Sequence, residues 1–274
     1  KEIFIGFALY SLSLILVLQI IPVGSQITTD RYIYFPMIGI LIAFIPLLKS
    51  INKKISYLLF IVPILFAFKS HERTKIWEND KTLWTDVIKK NNNVPQAYNN
   101  LASFELENNN IEKALLDVNK ALKLKSNYAD AISNRGNIYS QMGQNDLAFI
   151  DFDRAINLKP HADAYFNRAN LYAKTSQYNK ALKDYSESIN LKSSPDGYTN
   201  RAFCYLQLQN ENKAMQDLNL TIEKYPRFAP AYYLLGMLFA KQNKMTEACR
   251  NLNKSSSFGS KQAKVALSKF FKNN

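Results

Sequence analysis

Residues 129–161, ADAISNRGNIYSQMGQNDLAFIDFDRAINLKPH, decide how the chain is read. They hold two short amphipathic runs separated by a break at Gly143-Gln144-Asn145. Gly136 and Ala148 are small enough for two helices to touch closely, and Tyr139 and Phe152 fill the space beside them. Pro160 closes the unit, because proline cannot continue a helix. Two helices this short present an apolar face that they cannot bury alone. They need neighbours.

The neighbours are present. The small residue recurs at Ala102, Gly136, Ala169, Ala202 and Gly236, in steps of 34, 33, 33 and 34 residues. A second alanine keeps phase at Ala114, Ala148, Ala181, Ala214 and Ala248, and four residues later come Val118, Phe152, Tyr185, Leu218 and Leu252. An aromatic follows the first small residue at Tyr139, Tyr172, Tyr205 and Phe239; the first unit has Glu105 there, and only Pro160 and Pro226 supply the closing proline. The order G-x2-Y…A-x3-F…P at this period resembles the tetratricopeptide (TPR) family. The resemblance implies five TPR units over residues 94–259, stacked as an α-solenoid whose first helices line a concave groove.

The rest of the chain divides sharply near residue 70. Only eight charged residues lie in 1–70: Lys1, Glu2, Asp30, Arg31, Lys49, Lys53, Lys54 and Lys69. Residues 3–21 are uncharged and nearly all apolar, long enough at 1.5 Å per residue to cross a bilayer core of roughly 30 Å. Further apolar runs fill 33–48 and 55–68, the latter short enough to be either a span or a tilted, re-entrant segment. The expectation is all-α: a membrane region over 1–70 with about three transmembrane helices, a connecting and capping helix over 71–93, the TPR solenoid, and a C-terminal capping helix over 260–274. Leu83, Trp84, Val87 and Ile88 stand in the phase of a second helix and read as a half-unit on the N-terminal end. The lysines of residues 49–54 favour the cytoplasmic side for that loop, which puts the repeats on the exterior, periplasmic or lumenal side; the basic run KSHERTK at residues 69–75, beside the last apolar segment, argues the other way. With no initiator Met, the sequence reads as the C-terminal part of a longer protein.

DRYIYFP at residues 30–36, the apolar hairpin after it, and Arg73, Trp77 and Leu83 leading into the repeats resemble the polytopic transmembrane-and-TPR proteins related to protein O-mannosyltransferases, of the GT-C glycosyltransferase class. That resemblance implies a lipid-linked sugar donor and repeats that hold acceptor or partner proteins. The family's catalytic acids lie in an early exterior loop that no residue here matches, so no catalytic residue is assigned and activity is expected only of a longer parent. Arg31 is the candidate contact for the phosphate of a lipid-linked donor, through its fixed fork of donors. The competing reading makes Asp30 and Arg31 an interfacial ion pair between belt tyrosines. The alternative for the whole chain is a non-enzymatic, membrane-anchored TPR scaffold.

Other chemistry is sparse. His71 and His161 give no metal-ligand spacing, and His161, beside Pro160, reads as a solvated loop residue. Cys204 and Cys249 lie in different units and read as buried small residues rather than a disulfide. No metal or cofactor is expected. The net charge of +13 suits an anionic membrane surface; the lysines are too scattered for a nucleic-acid site.

Two polar stripes repeat with the units. Arg135, Arg168 and Arg201 share one phase, and Asp117, Asp151, Asp184 and Asp217 another. They predict a ladder of Arg–Asp pairs, within units or between adjoining ones, with one aspartate left over either way. Asn100, Asn134, Asn167 and Asn200 share a third phase on the first helices, with Asn137 and Asn170 beside them. A row of amides holds an extended peptide backbone through both donors and acceptors; the alternative is that they bond neighbouring helices. Asp130, Asp163 and Asp196 sit near helix starts, favoured there by the helix dipole and suited to a basic partner.

Overall fold

The computed structural model describes Ile76 and residues 78–270. The three apolar segments, Asp30, Arg31 and His71 lie outside the described residues. So do any membrane spans: among the described residues no helix is long and apolar enough to cross a membrane.

The described residues form twelve helices and no strand. A lone helix α1 (Asp80–Lys90) precedes five antiparallel pairs: α2 (Pro95–Glu107) with α3 (Ile111–Leu124), α4 (Ala129–Gln141) with α5 (Asn145–Leu158), α6 (Ala162–Lys174) with α7 (Tyr178–Leu191), α8 (Pro195–Gln207) with α9 (Glu211–Lys224), and α10 (Ala229–Lys241) with α11 (Met245–Ser257). A last helix, α12 (Lys261–Phe270), packs on α11. Each second helix also packs on the next first helix, and successive first helices touch one another along one face. That face is the inner surface of the solenoid.

The repeated small residues are what let the pairs close. All five second-helix alanines, Ala114 to Ala248, are fully buried. At Gly136 an added Cβ would lie 2.8 Å from the Phe152 ring, and at Gly236 2.8 Å from Leu252 Cγ; units with smaller or better placed partners tolerate Ala102, Ala169 and Ala202 at this site. Two further buried phases run through the core. One is Ala97, Ala131, Ala164, Gly197 and Ala231; the other is Ala121, Ala155, Ser188, Thr221 and Ser255. The last three sit where apolar burial is expected, and Thr221 and Ser255 satisfy their hydroxyls on the carbonyls of Asp217 (2.7 Å) and Ala229 (2.8 Å).

The turn inside each unit is one motif used five times. Asn109, Gly143, Ser176, Gln209 and Asn243 all take a left-handed backbone with φ between 59° and 76°. In each, the next residue's N–H reaches back five residues to the first helix, as Asn110 does to the Glu105 carbonyl (2.8 Å). This is the Schellman closure of a helix C-terminus. Only Gly143 announces it in the sequence.

At the N-terminal end, α1 packs on α2 as a second helix would, and Ile88 joins the first core cluster. Glu105, which replaces the unit aromatic, is 3% exposed and pairs with Lys81 of α1 at 3.0 Å, while Asn110 Nδ2 donates to it at 2.6 Å. Burial pushes this carboxyl up, but Lys81 and Asn110 together bring it below the ordinary carboxylate value.

Candidate functional site

The arginine stripe resolves into a repeated three-helix tie. Arg135 Nε and Nη2 donate to both oxygens of Asp151 at 2.7 and 2.8 Å. Arg168 grips Asp184 in the same way (2.7 and 2.9 Å), as Arg201 does Asp217 (2.8 and 2.7 Å). Each fork therefore closes within a unit. The remaining Nη1 reaches the second helix of the preceding unit, donating to Asn119 (3.2 Å), Asp153 (2.5 Å) or Ser186 (3.0 Å). The aspartate hydrogen bonds outweigh burial and hold all three guanidinium groups above their ordinary pKa. These cations are structural: their fixed forks are fully used on carboxylates.

The ladder stops at both ends. Leu101 and Leu235 stand in the arginine phase of units one and five. Asp117 is the aspartate left over, buried to 9% exposure with no hydrogen bond or ion pair among the described residues. Burial raises its pKa, with Glu105 adding to the rise and Lys120, Lys113 and Lys81 opposing it. At the junction of units four and five the tie is different: Lys241 Nζ and Gln242 Nε2 donate to Glu211 at 2.9 and 2.8 Å, with the Lys241 side chain 63% exposed.

The asparagines lie half-buried on the inner face and divide into two sets. Asn134 Nδ2 donates to Asn99 Oδ1 (2.9 Å) and Ser103 Oγ (3.0 Å) of the preceding first helix. Asn200 Nδ2 donates to Asn170 Oδ1 (3.2 Å), which also accepts from Tyr185 Oη at 2.6 Å. These three bond neighbouring helices. Asn137 and Asn167 make no side-chain hydrogen bond among the described residues, and Asn100 has only a 3.5 Å approach from Asn99 Nδ2. Phe166 and Phe203 share the inner face with them, Phe203 exposed. The aromatics were not among the expected groove residues; Phe203 stands in the phase of Asn137 and Asn170, which is the signal that would have found it, whereas Phe166 shares the buried phase of Asn99, Ser133 and Thr199.

Two expectations change. His161 is not a solvated loop residue: it caps α6, its side chain is 19% exposed, and Nδ1 lies 2.8 Å from the Lys159 carbonyl. The ring lies 3.8 Å from Asp130 of the preceding unit. Of the two free thiols only Cys204 is buried, and burial lifts it to about 11; Cys249 is half-buried. Asp163 and Asp196 are exposed at their helix starts. No group of three His, Cys, Asp or Glu side chains gathers among the described residues to hold a metal.

Models of the tetratricopeptide repeat match residues 95–128, 129–161, 162–194, 196–227 and 229–257, together more than half of the chain. The mouse protein O-mannosyl-transferase TMTC3 (Mus musculus) is 28% identical over 145 residues, which is 51% of this chain. The match spans only 16% of that relative's length. Among solved structures, the fold is shared with YrrB, a TPR protein with an unusual peptide-binding site (TM-score 0.51, 22% identity, 68% of this chain and 98% of that one). It is shared also with pilF of Pseudomonas aeruginosa (0.58, 15%, 66% and 93%) and with a tetratricopeptide repeat protein of Parabacteroides merdae (0.55, 20%, 95% and 96%).

Proposed function

The chain belongs to the tetratricopeptide repeat family, and from that premise we propose that its inner face binds an extended segment of a partner protein. The observation that supports this reading is the unspent amides of Asn100, Asn137 and Asn167 beside the partly exposed rings of Phe166 and Phe203. Amides hold a peptide backbone without reading its side chains, and rings add apolar contact. Asn134, Asn170 and Asn200 set the spacing of the first helices on which the others stand.

The test separates the two sets. Peptides selected from a random display library against the full chain should lose about tenfold or more in affinity when Asn137→Ala and Asn167→Ala are combined, since each removes a hydrogen bond to a buried peptide group. The Tm of that variant should change little, whereas Asn134→Ala should lower it. Selected peptides that bind the double variant unchanged would refute the groove.

The finer reading is that these repeats are the exterior, C-terminal part of a membrane glycosyltransferase related to the protein O-mannosyltransferases. The partial likeness to the mouse relative, the apolar runs before residue 70 and DRYIYFP at residues 30–36 support it. In that protein Arg31 would contact the donor phosphate and the repeats would hold the acceptor protein. Arg31→Lys in the full-length protein should then cut turnover without loss of expression, because a lysine cannot reproduce the fork. Unchanged turnover would remove Arg31 from the site.

A further inference from the structure

The inner face ends in a groove of about 390 Å³ between α10 and α12. Tyr233 and Met237 form one wall; Lys261, Val265, Ala266 and Lys269 form the other. The walls join through the last core cluster, where Tyr233 and Met237 pack against Leu252, Ala263 and Ala266. Val265 is 66% exposed, a large fraction for an aliphatic side chain in a helix that buries its other face.

The charge here differs from the rest of the solenoid. Residues 129–223 hold ten Lys and Arg against eleven Asp and Glu, and Arg135, Arg168 and Arg201 are spent on aspartates. Residues 224–270 hold nine Lys and Arg against one acid, Glu247. Among the described residues Lys261, Lys264 and Lys269 form no ion pair with a carboxylate. An apolar trough rimmed by unpaired cations complements an apolar side chain flanked by carboxylates. A flat bilayer would meet Val265 but not Tyr233 and Met237, which are set back between two helices.

We propose that the α10–α12 groove docks an acidic segment of a partner protein, with one large apolar side chain seated between Tyr233 and Val265 and its flanking carboxylates on Lys261 and Lys269. The proposal rests on the reading of the repeats as a protein-binding module and gives one end of that module its chemical preference. Partner segments that cross the asparagine rows would be anchored here by charge.

The probe is a short labelled peptide of glutamates around a single tryptophan, measured by fluorescence anisotropy against the full chain in non-ionic detergent. It should bind, and more weakly as salt rises. Lys261→Glu with Lys269→Glu should weaken it by about tenfold or more, Lys→Gln at both sites by less, and Val265→Asp by an amount like the charge reversal. Peptides with glutamine for glutamate, or serine for tryptophan, should each bind worse. All substituted side chains are exposed, and circular dichroism of each variant should match the parent. No binding of the glutamate–tryptophan peptide, or binding indifferent to both charge reversals, overturns the proposal. So does binding to phosphatidylserine vesicles that the reversals abolish while the peptide is unaffected, which would assign the surface to membrane. Self-association of the chain that the reversals abolish would assign it to a second copy. Combining Asn137→Ala with Asn167→Ala separates the two readings. If library peptides survive that change while the probe still needs its lysines, only the asparagine groove fails. If the probe ignores the lysines while library peptides need the asparagines, only the α10–α12 proposal fails.

Discussion

Asp117 shows what a repeat loses when one member of a pair is replaced. Its counterparts Asp151, Asp184 and Asp217 are gripped by arginine forks, but Leu101 occupies the donor's place and the carboxylate stays buried without one. Its folded pKa lies above the ordinary 3.8 because burial disfavours the charge. A raised carboxylate pKa makes ionisation cost stability, so the penalty is present above the folded pKa and gone below the unfolded one. Asp117→Asn should therefore stabilise the chain near pH 7 by roughly 1 kcal/mol, the scale of a poorly satisfied buried polar group. The gain should fade as pH drops toward 3.8, which thermal melts across that range would show. An equal gain at every pH would mean that packing, not charge, is responsible. Glu105 carries the opposite sign: its lowered pKa gives stability above 4.5 that is lost as pH falls further.

At the scale of the helix and its turn, the sequence shows the framework and hides the joints. The small and aromatic phases of Gly136, Ala148 and Phe152 are legible because only certain volumes let two helices touch, and volume is read directly from residue type. The phase of Ser188, Thr221 and Ser255 is not, because a hydroxyl looks polar until its bond to a nearby carbonyl is seen. The same limit applies to the asparagines: whether Asn134 or Asn137 is spent depends on a neighbour a full repeat away. The left-handed turn residues are hidden for another reason. Asn109, Ser176, Gln209 and Asn243 adopt a backbone that costs a side-chain-bearing residue about 1 kcal/mol or more, and the hydrogen bonds of the closure hold them there. Gln209→Gly should thus raise stability by about 0.5–1 kcal/mol and Gln209→Val lower it by more than that. Denaturant midpoints with unchanged slope would register both. A glycine variant no more stable than the parent would mean that the turn carries no strain.

At the largest scale, the described residues form a row of units, each packed on its neighbours, so their stability is a sum over units and junctions. The first three junctions share one design: an arginine locks its own unit and reaches back to the one before. Asparagine bonds reinforce the first and third of them. The fourth has neither, since Leu234 and Leu235 occupy both phases, and its polar ties are the Gln242–Glu211 hydrogen bond and the exposed Lys241–Glu211 pair. Exposed pairs of this kind add little in salt. Held between two beads and stretched, the chain should behave as a spring with one soft coil. At low force α10 to α12 should peel away together, leaving the arginine-locked coils wound until the load rises further. Replacing Leu235 by Arg together with Asn251 by Asp would install the missing lock, and the first rip in the force trace should then move to higher load. A partner seated at that end would thus be carried on the part of the spring that yields first.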